Sequence, residues 1–373
     1  MRHRHAALVA LVIFFSVFPV GHAAAPVRYR YTLAYKFENR GAENVELYRE
    51  DVAIPLFMDT ERQAVKITES DKPLGETLTD EDGNRWAVMD VPLTLGPGGE
   101  ASFTVTYVIE SSSELWPEIS VPDADGFDAI PQELVDNYTA STETFMSEDP
   151  SVSQLAYEVA GGSSTVLDAV VNMIDWLADN TEYCNFEVPR YPKQTAADGL
   201  GDCDDQSVLL ISMCRSLGIP AFLQVGIVIH PGIVDSETSW EGHLTDTRDG
   251  VGWHAWAMIY VPPWGWLPVD LTLVQADGGL NVIKGAPEYE SNIIPCFDVN
   301  RQPYIGESLS TRARFIGSSV YVEIADEAEI IDSGIPGREL YIVAGLGVAV
   351  TAAIVLMFMS ERRAKQASFK ARS

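Results

Sequence analysis

Cys203 opens the string Cys-Asp-Asp-Gln-Ser, directly after Leu-Gly-Asp, at a point where a helix begins. Unpaired backbone N–H groups and the helix dipole there favour a thiolate, the form of cysteine that attacks carbonyl carbon. Asp204 and Asp205 oppose that charge, so the thiol needs a partner that is both a cation and an acid–base group, which is the role of histidine. His3, His5 and His22 lie in the N-terminal leader, and His230 and His243 lie near loops with no companion motif. His254 stands in Gly-Trp-His-Ala-Trp-Ala-Met-Ile-Tyr at the start of a strand, and Asp270 follows Leu-Pro-Val in the next one. A hairpin through Pro262-Pro263-Trp264-Gly265 sets the two side by side. The carboxylate then accepts from one ring nitrogen while the other faces the thiol. The backbone N–H of Cys203 is a ready oxyanion donor, and Gln194 is a second, side-chain candidate. Trp253 and Trp256 flank the histidine as candidate cleft walls, although a strand tryptophan is first of all core. The bland alternative makes Cys203 a packed small hydrophobe and His254 a satisfied strand residue.

Positioning these groups requires a helix pair and an antiparallel sheet. Val166, Val170, Met173, Ile174 and Leu177 recur at helical spacing, with Thr165-x-x-Asp168 as a capping-box variant. Asp202 caps a second helix whose apolar stripe is Leu209, Leu210, Met213 and Leu217, ended by Gly218 and Pro220. Ala221–Ile229, Trp253–Val261 and Trp266–Leu273 read as strands, which gives an α+β layout. Upstream, Val27, Tyr29, Tyr31, Leu33, Tyr35 and Phe37 alternate with polar neighbours, as do Ala101, Phe103, Val105, Tyr107 and Ile109. Shorter strand candidates lie between them, and together they predict a β-sandwich with a structural or adhesive role.

Four motifs in order resemble the transglutaminase-like superfamily. They are Gly201-Asp202-Cys203-Asp204-Asp205, Arg215-Ser216-Leu217-Gly218-Ile219-Pro220-Ala221, His254-Ala255-Trp256 and Gly265-Trp266-Leu267-Pro268-Val269-Asp270-Leu271-Thr272. The resemblance implies a papain-like α+β core with a Cys-His-Asp triad, carried here by Cys203, His254 and Asp270. It implies a thiol enzyme acting on a protein or peptide amide through a thioester, with water as the preferred acceptor. Two other readings stay open: acyl transfer to an amine that cross-links envelope proteins, and a non-catalytic surface binding or assembly module.

The ends and the composition set the context. The basic start Met-Arg-His-Arg-His, the apolar run Ala6–Val20 and the small residues that follow describe a signal peptide. Leu340–Met359 is uncharged and long enough to span a bilayer, and the basic tail after it is expected on the cytoplasmic side. The predicted partition is therefore leader 1–25, sandwich 26–112, connecting segment 113–160, transglutaminase-like domain 161–325, juxtamembrane linker 326–339, membrane helix 340–359 and tail 360–373. The protein is expected at the cell membrane, single-pass, with its globular part extracellular. A net charge of −29 argues against nucleic-acid binding. No cofactor or metal is expected: no Cys-x-x-Cys pair, phosphate-binding loop or His-Glu-x-x-His occurs, and the acidic run Glu323, Asp326, Glu327, Glu329 lacks calcium-loop spacing. A disulfide such as Cys184 to Cys214 is permitted outside the cell without being specified by the sequence.

Overall fold

The period-two pattern at the N-terminus becomes a strand with one face buried: Tyr29, Tyr31, Leu33 and Phe37 are nearly inaccessible. The computed structural model describes residues 26–274 and 276–333. Eight strands form one sheet: β1 (Val27–Asn39), β2 (Gln63–Ser70), β3 (Glu100–Ser111), β4 (Ala221–Ser239), β5 (Leu244–Val261), β6 (Gly265–Val269), β7 (Ile293–Val299) and β8 (Val320–Asp332). Their order is β7-β4-β5-β8-β1-β3-β2, with β6 on the edge of β5. The main helices are α1 (Pro150–Ala160), α2 (Val166–Asn180), α3 (Pro192–Asp198), α4 (Cys203–Ser216) and α5 (Tyr304–Ile316). This is a mixed α/β fold with a curled sheet.

The N-terminal strands do pack in two layers. A three-stranded sheet (Ala53–Leu56, Arg85–Met89, Leu74–Thr79) places Ile54, Ala87 and Met89 in a core with Tyr31, Phe103 and Tyr107 of the large sheet. Yet these layers do not close into an independent unit. β8 pairs antiparallel with β1 from Arg28↔Asp332 to Asn39↔Val320 and parallel with β5 from Leu244↔Val322 to Asp249↔Glu327, so one sheet runs through both regions.

The predicted linker therefore needs correction at its start, because residues 326–332 are the second half of β8. Its side chains alternate in exposure as a strand demands, with Asp326 and Ala328 more buried than Glu327 and Glu329. Glu323 lies near Lys36 and Glu329 pairs with Arg30 at the surface, while Asp326 turns inward and accepts from the Tyr31 hydroxyl at 2.5 Å. Burial raises that carboxyl to about 6. Among the described residues no helix is long and apolar enough to cross a membrane. The predicted leader and the segment 340–359 lie outside the described residues.

The second core lies between the helices and the odd-numbered face of β5, where Ala255, Ala257, Ile259 and Val261 meet Val208, Leu209, Met213, Val170 and Ile174. Truncating one of these leucines or isoleucines to alanine costs about 2–5 kcal/mol. Helix α4 is pinned at its far end by buried Arg215. Its guanidinium donates to Ala221 O (2.8 Å), Ala140 O (3.0 Å), Asn300 O (3.2 Å) and Asn300 Oδ1 (2.7 Å), over the ring of Phe145. Gly218, with φ +75°, ends the helix in the left-handed conformation that glycine adopts freely. No disulfide links Cys184, Cys203, Cys214 or Cys296.

Candidate active site

Strand β5 has one edge paired with β4 along most of its length, and its other edge is shared. β8 takes Leu244–Asp249 and β6 takes Ala257–Val261, leaving residues 250–256 with no strand partner on that side. The start of α4 fills this notch. The Asp202 side chain accepts from Asp205 N, while the Asp205 carboxylate reaches back to Asp202 N (both 3.4 Å) and also accepts from Arg190 N at 2.6 Å. Asp202 takes a further N–H from Phe186 at 3.2 Å. Gly201 is needed just before the cap, since a Cβ there would lie 2.8 Å from Cβ of Asp205. This start presents partly buried Cys203 to the notch, where the N–H of Ala255 is directed at its sulfur.

His254 and Asp270 stand on the opposite face of the same hairpin. Ala257 pairs with Val269, so Asp270 falls beside Trp256 and diagonal to His254. His254 Nε2 lies 2.7 Å from Asp270 Oδ2, both residues being buried, which leaves Nδ1 as the ring nitrogen for a reacting group. Oδ1 of Asp270 accepts from Thr272 N (3.0 Å) and Leu273 N (2.8 Å). Burial favours the neutral acid, but the histidine and these donors outweigh it and hold Asp270 below the usual carboxylate range.

The thiol departs from expectation. The helix start alone favours a thiolate, yet burial, followed by the carboxylates of Asp202 and Asp204, pushes the Cys203 thiol well above its ordinary value. One oxygen of each of these aspartates lies within 4.8 Å of the sulfur. Asp205, the other acid of the sequence reading, is turned to Arg190 and is not among the main causes. Desolvation and like charge thus overrule the dipole, and Cys203 becomes a nucleophile only by giving its proton to a neighbouring base.

The remaining candidates separate clearly. Gln194 is exposed at the start of α3, and its Oε1 accepts from Tyr191 N at 3.1 Å, so it caps its own helix. Trp256 is fully buried and stacked on His254, with centroids 5.8 Å apart. Gly226, opposite His254, makes room for that indole: a Cβ would come within 2.9 Å of Trp256 Cη2. Trp253 points to the other face, 6.3 Å from the ring of Phe57. One neighbour of the thiol had no sequence signal. Tyr304, at the start of α5, donates to Asp204 Oδ2 at 3.0 Å and lies close enough to Cys203 to feel its charge. Its phenol is pushed well up by burial and by Asp204.

Residues 153–271, about a third of the chain, match the model of the transglutaminase-like superfamily, and the matched region holds Cys203, His254 and Asp270. A structure from Cytophaga hutchinsonii, described as a candidate cysteine protease, is similar over 83% of this chain and 93% of its own at 14% identity and a TM-score of 0.52. Two others overlap more loosely. The periplasmic domain of TgpA from Pseudomonas aeruginosa, bound to ethylmercury, has 15% identity over 70% of this chain and 94% of its own, TM-score 0.30. Red sea bream transglutaminase has 11% identity over 67% and 48%, TM-score 0.27. No curated protein sequence matches the chain significantly.

Proposed function

We propose that this protein is a thiol enzyme that opens amide bonds through Cys203, His254 and Asp270. The observation that carries the reading is the buried 2.7 Å contact between His254 and Asp270, on the residue preceding the N–H aimed at the Cys203 sulfur. In this reading His254 Nδ1 takes the Cys203 proton as the sulfur attacks the carbonyl. Asp270 fixes the ring and stabilises the imidazolium, and the backbone N–H of Cys203 holds the developing oxyanion. His254 then protonates the leaving amine, and water cleaves the thioester. The raised thiol fits a proton transfer concerted with attack better than a standing ion pair. Water as acceptor rests on the likeness to a candidate cysteine protease. The same reading keeps the protein anchored outside the cell by residues 340–359.

Incubation with a glutamine-containing peptide and an amine probe tests the reaction type. Cleaved peptide or released acid, lost in Cys203→Ala, is the expected result. Amine incorporation would replace hydrolysis by acyl transfer, and neither product would leave the fold as a binding module.

A further inference from the structure

A second constellation lies farther along the hairpin that carries His254 and Asp270. A cavity of about 340 Å³ is walled by Met258, Trp264, Trp266 and Tyr289 and holds Arg62 and Glu288. It sits where four parts of the chain meet: the turn before β2, the segment around Glu114, the β5–β6 hairpin and the segment of Glu288 and Tyr289 before β7. The Arg62 side chain is 14% exposed and Glu288 13%, yet their nearest approach is 3.7 Å. Arg62 also reaches Glu290 O at 3.4 Å and Glu114 at 4.0 Å, both long for hydrogen bonds. Arg62 Nη2 and Glu288 Oε2 are buried without a well-formed hydrogen bond, and the Trp256 indole N–H, also without one, lies close enough to the Glu288 carboxyl to favour its charged form. Buried polar atoms are ordinarily paired, and leaving one unpaired costs about 1–3 kcal/mol. Here a donor and an acceptor are unpaired within the same cavity.

We propose that this cavity is a subsite that receives an amide-bearing, preferably aromatic, residue of a polypeptide substrate. The amide oxygen accepts from Arg62 Nη2 and the amide N–H donates to Glu288, while Trp264, Trp266 and Tyr289 enclose the side chain. An anion fits less well, because Glu114 already offers a carboxylate to the one guanidinium and an anion there would also have to sit against the Glu288 carboxyl without charging it. The volume suits one residue, being at the small end of ligand pockets. Met258 lies four residues along β5 from His254, roughly 14 Å at 3.4 Å per residue. An extended peptide crosses that distance in about four residues. The subsite would therefore read a position about four residues from the bond being cleaved. This inference rests on the amide-cleaving reading above but is tested apart from it.

The test is calorimetric titration of the full chain carrying Cys203→Ala with N-acetyl-L-phenylalaninamide. We expect saturable one-to-one binding, weakened at least tenfold by Arg62→Leu and by Glu288→Leu. Glu288→Gln, which keeps an acceptor oxygen, should retain affinity within about threefold, and N-acetyl-L-phenylalanine should bind at least tenfold more weakly than the amide. No saturable binding, or equal binding by folded Arg62→Leu and Glu288→Leu chains, would overturn the proposal. Tighter binding of the free acid than of the amide would overturn it too. Intact amide binding beside an unreactive Cys203 in the unmutated chain would instead remove the enzymatic reading alone.

Discussion

Two buried carboxyl groups associated with the β5–β6 hairpin have opposite fates. Asp270 spends one oxygen on His254 and the other on two backbone N–H groups, and it stays ionised below the usual carboxylate range. Glu288 faces an arginine that does not close on it and an indole N–H of Trp256 that makes no well-formed bond, and it is pushed by burial up to about 8. Burial is the largest influence on both. What differs is whether the charged form has its hydrogen bonds. A finished carboxylate is a fixed orienting charge, and an unfinished one marks a place that something else completes.

The sharpest way to break this contrast is Asp270→Asn. It leaves the shape and removes the charge that fixes the ring, so turnover should fall about 10³–10⁴-fold. The depressed acid also contributes stability that is present above its ordinary value of 3.8 and lost as pH falls through its lower folded value. Acid melting of the Asn variant should show less loss in that range.

Glu288 should behave oppositely. Between about 4.5 and 8 the unfolded chain has released this proton while the folded chain keeps it, so folding stability declines as pH rises through that window. Urea melts at pH 5 and pH 8 should show a decline that Glu288→Gln flattens, by up to about 4 kcal/mol from the linkage relation. An unchanged slope would mean that Glu288 is ionised and paired after all. Gly226→Ala sharpens the contrast from the structural side. Its Cβ would collide with Ile294 O and crowd the Trp256 ring, so about 1–3 kcal/mol of stability should go, with disturbed stacking on His254. Thr272→Ala is the mildest test. It removes only a 3.3 Å hydroxyl contact to Asp270 and leaves both backbone donors, so the effect should stay near 0.5 kcal/mol in a thermal melt.

The proposed reacting groups were readable because their signals are local. A capping aspartate, an apolar stripe and a Gly–Pro stop mark α4, and a histidine and an aspartate on adjacent strands fall close once the hairpin is drawn. What escaped is what depends on distant pairing. Arg62, Glu288 and Tyr304 gain their surroundings from segments far apart in the chain and carry no spacing pattern. Residues 326–332 looked like a solvated acidic run because Arg30 and Lys36, which offset Glu329 and Glu323, lie at the other end of the molecule. Gln194 was misleading for a related reason: nothing in its type tells an amide facing a cleft from an exposed one whose oxygen caps its own helix. The thiol was legible in place but not in acidity, since the carboxylates around it and its burial were fixed by folding.

The central claim is that His254 alone makes this thiol a nucleophile. Iodoacetamide labelling of the full chain across pH, located by peptide mapping, tests it directly. Cys214 and Cys296 are buried, with thiols pushed up by burial, and should stay unlabelled, while Cys184 serves as the internal comparison. The account predicts that Cys203 reacts faster than Cys184 near neutral pH. It also predicts that His254→Ala slows Cys203 at least 100-fold, to below Cys184, because the nearby carboxylates then act unopposed. A Cys203 that labels no faster than Cys184, with a rate unchanged in His254→Ala, would contradict it.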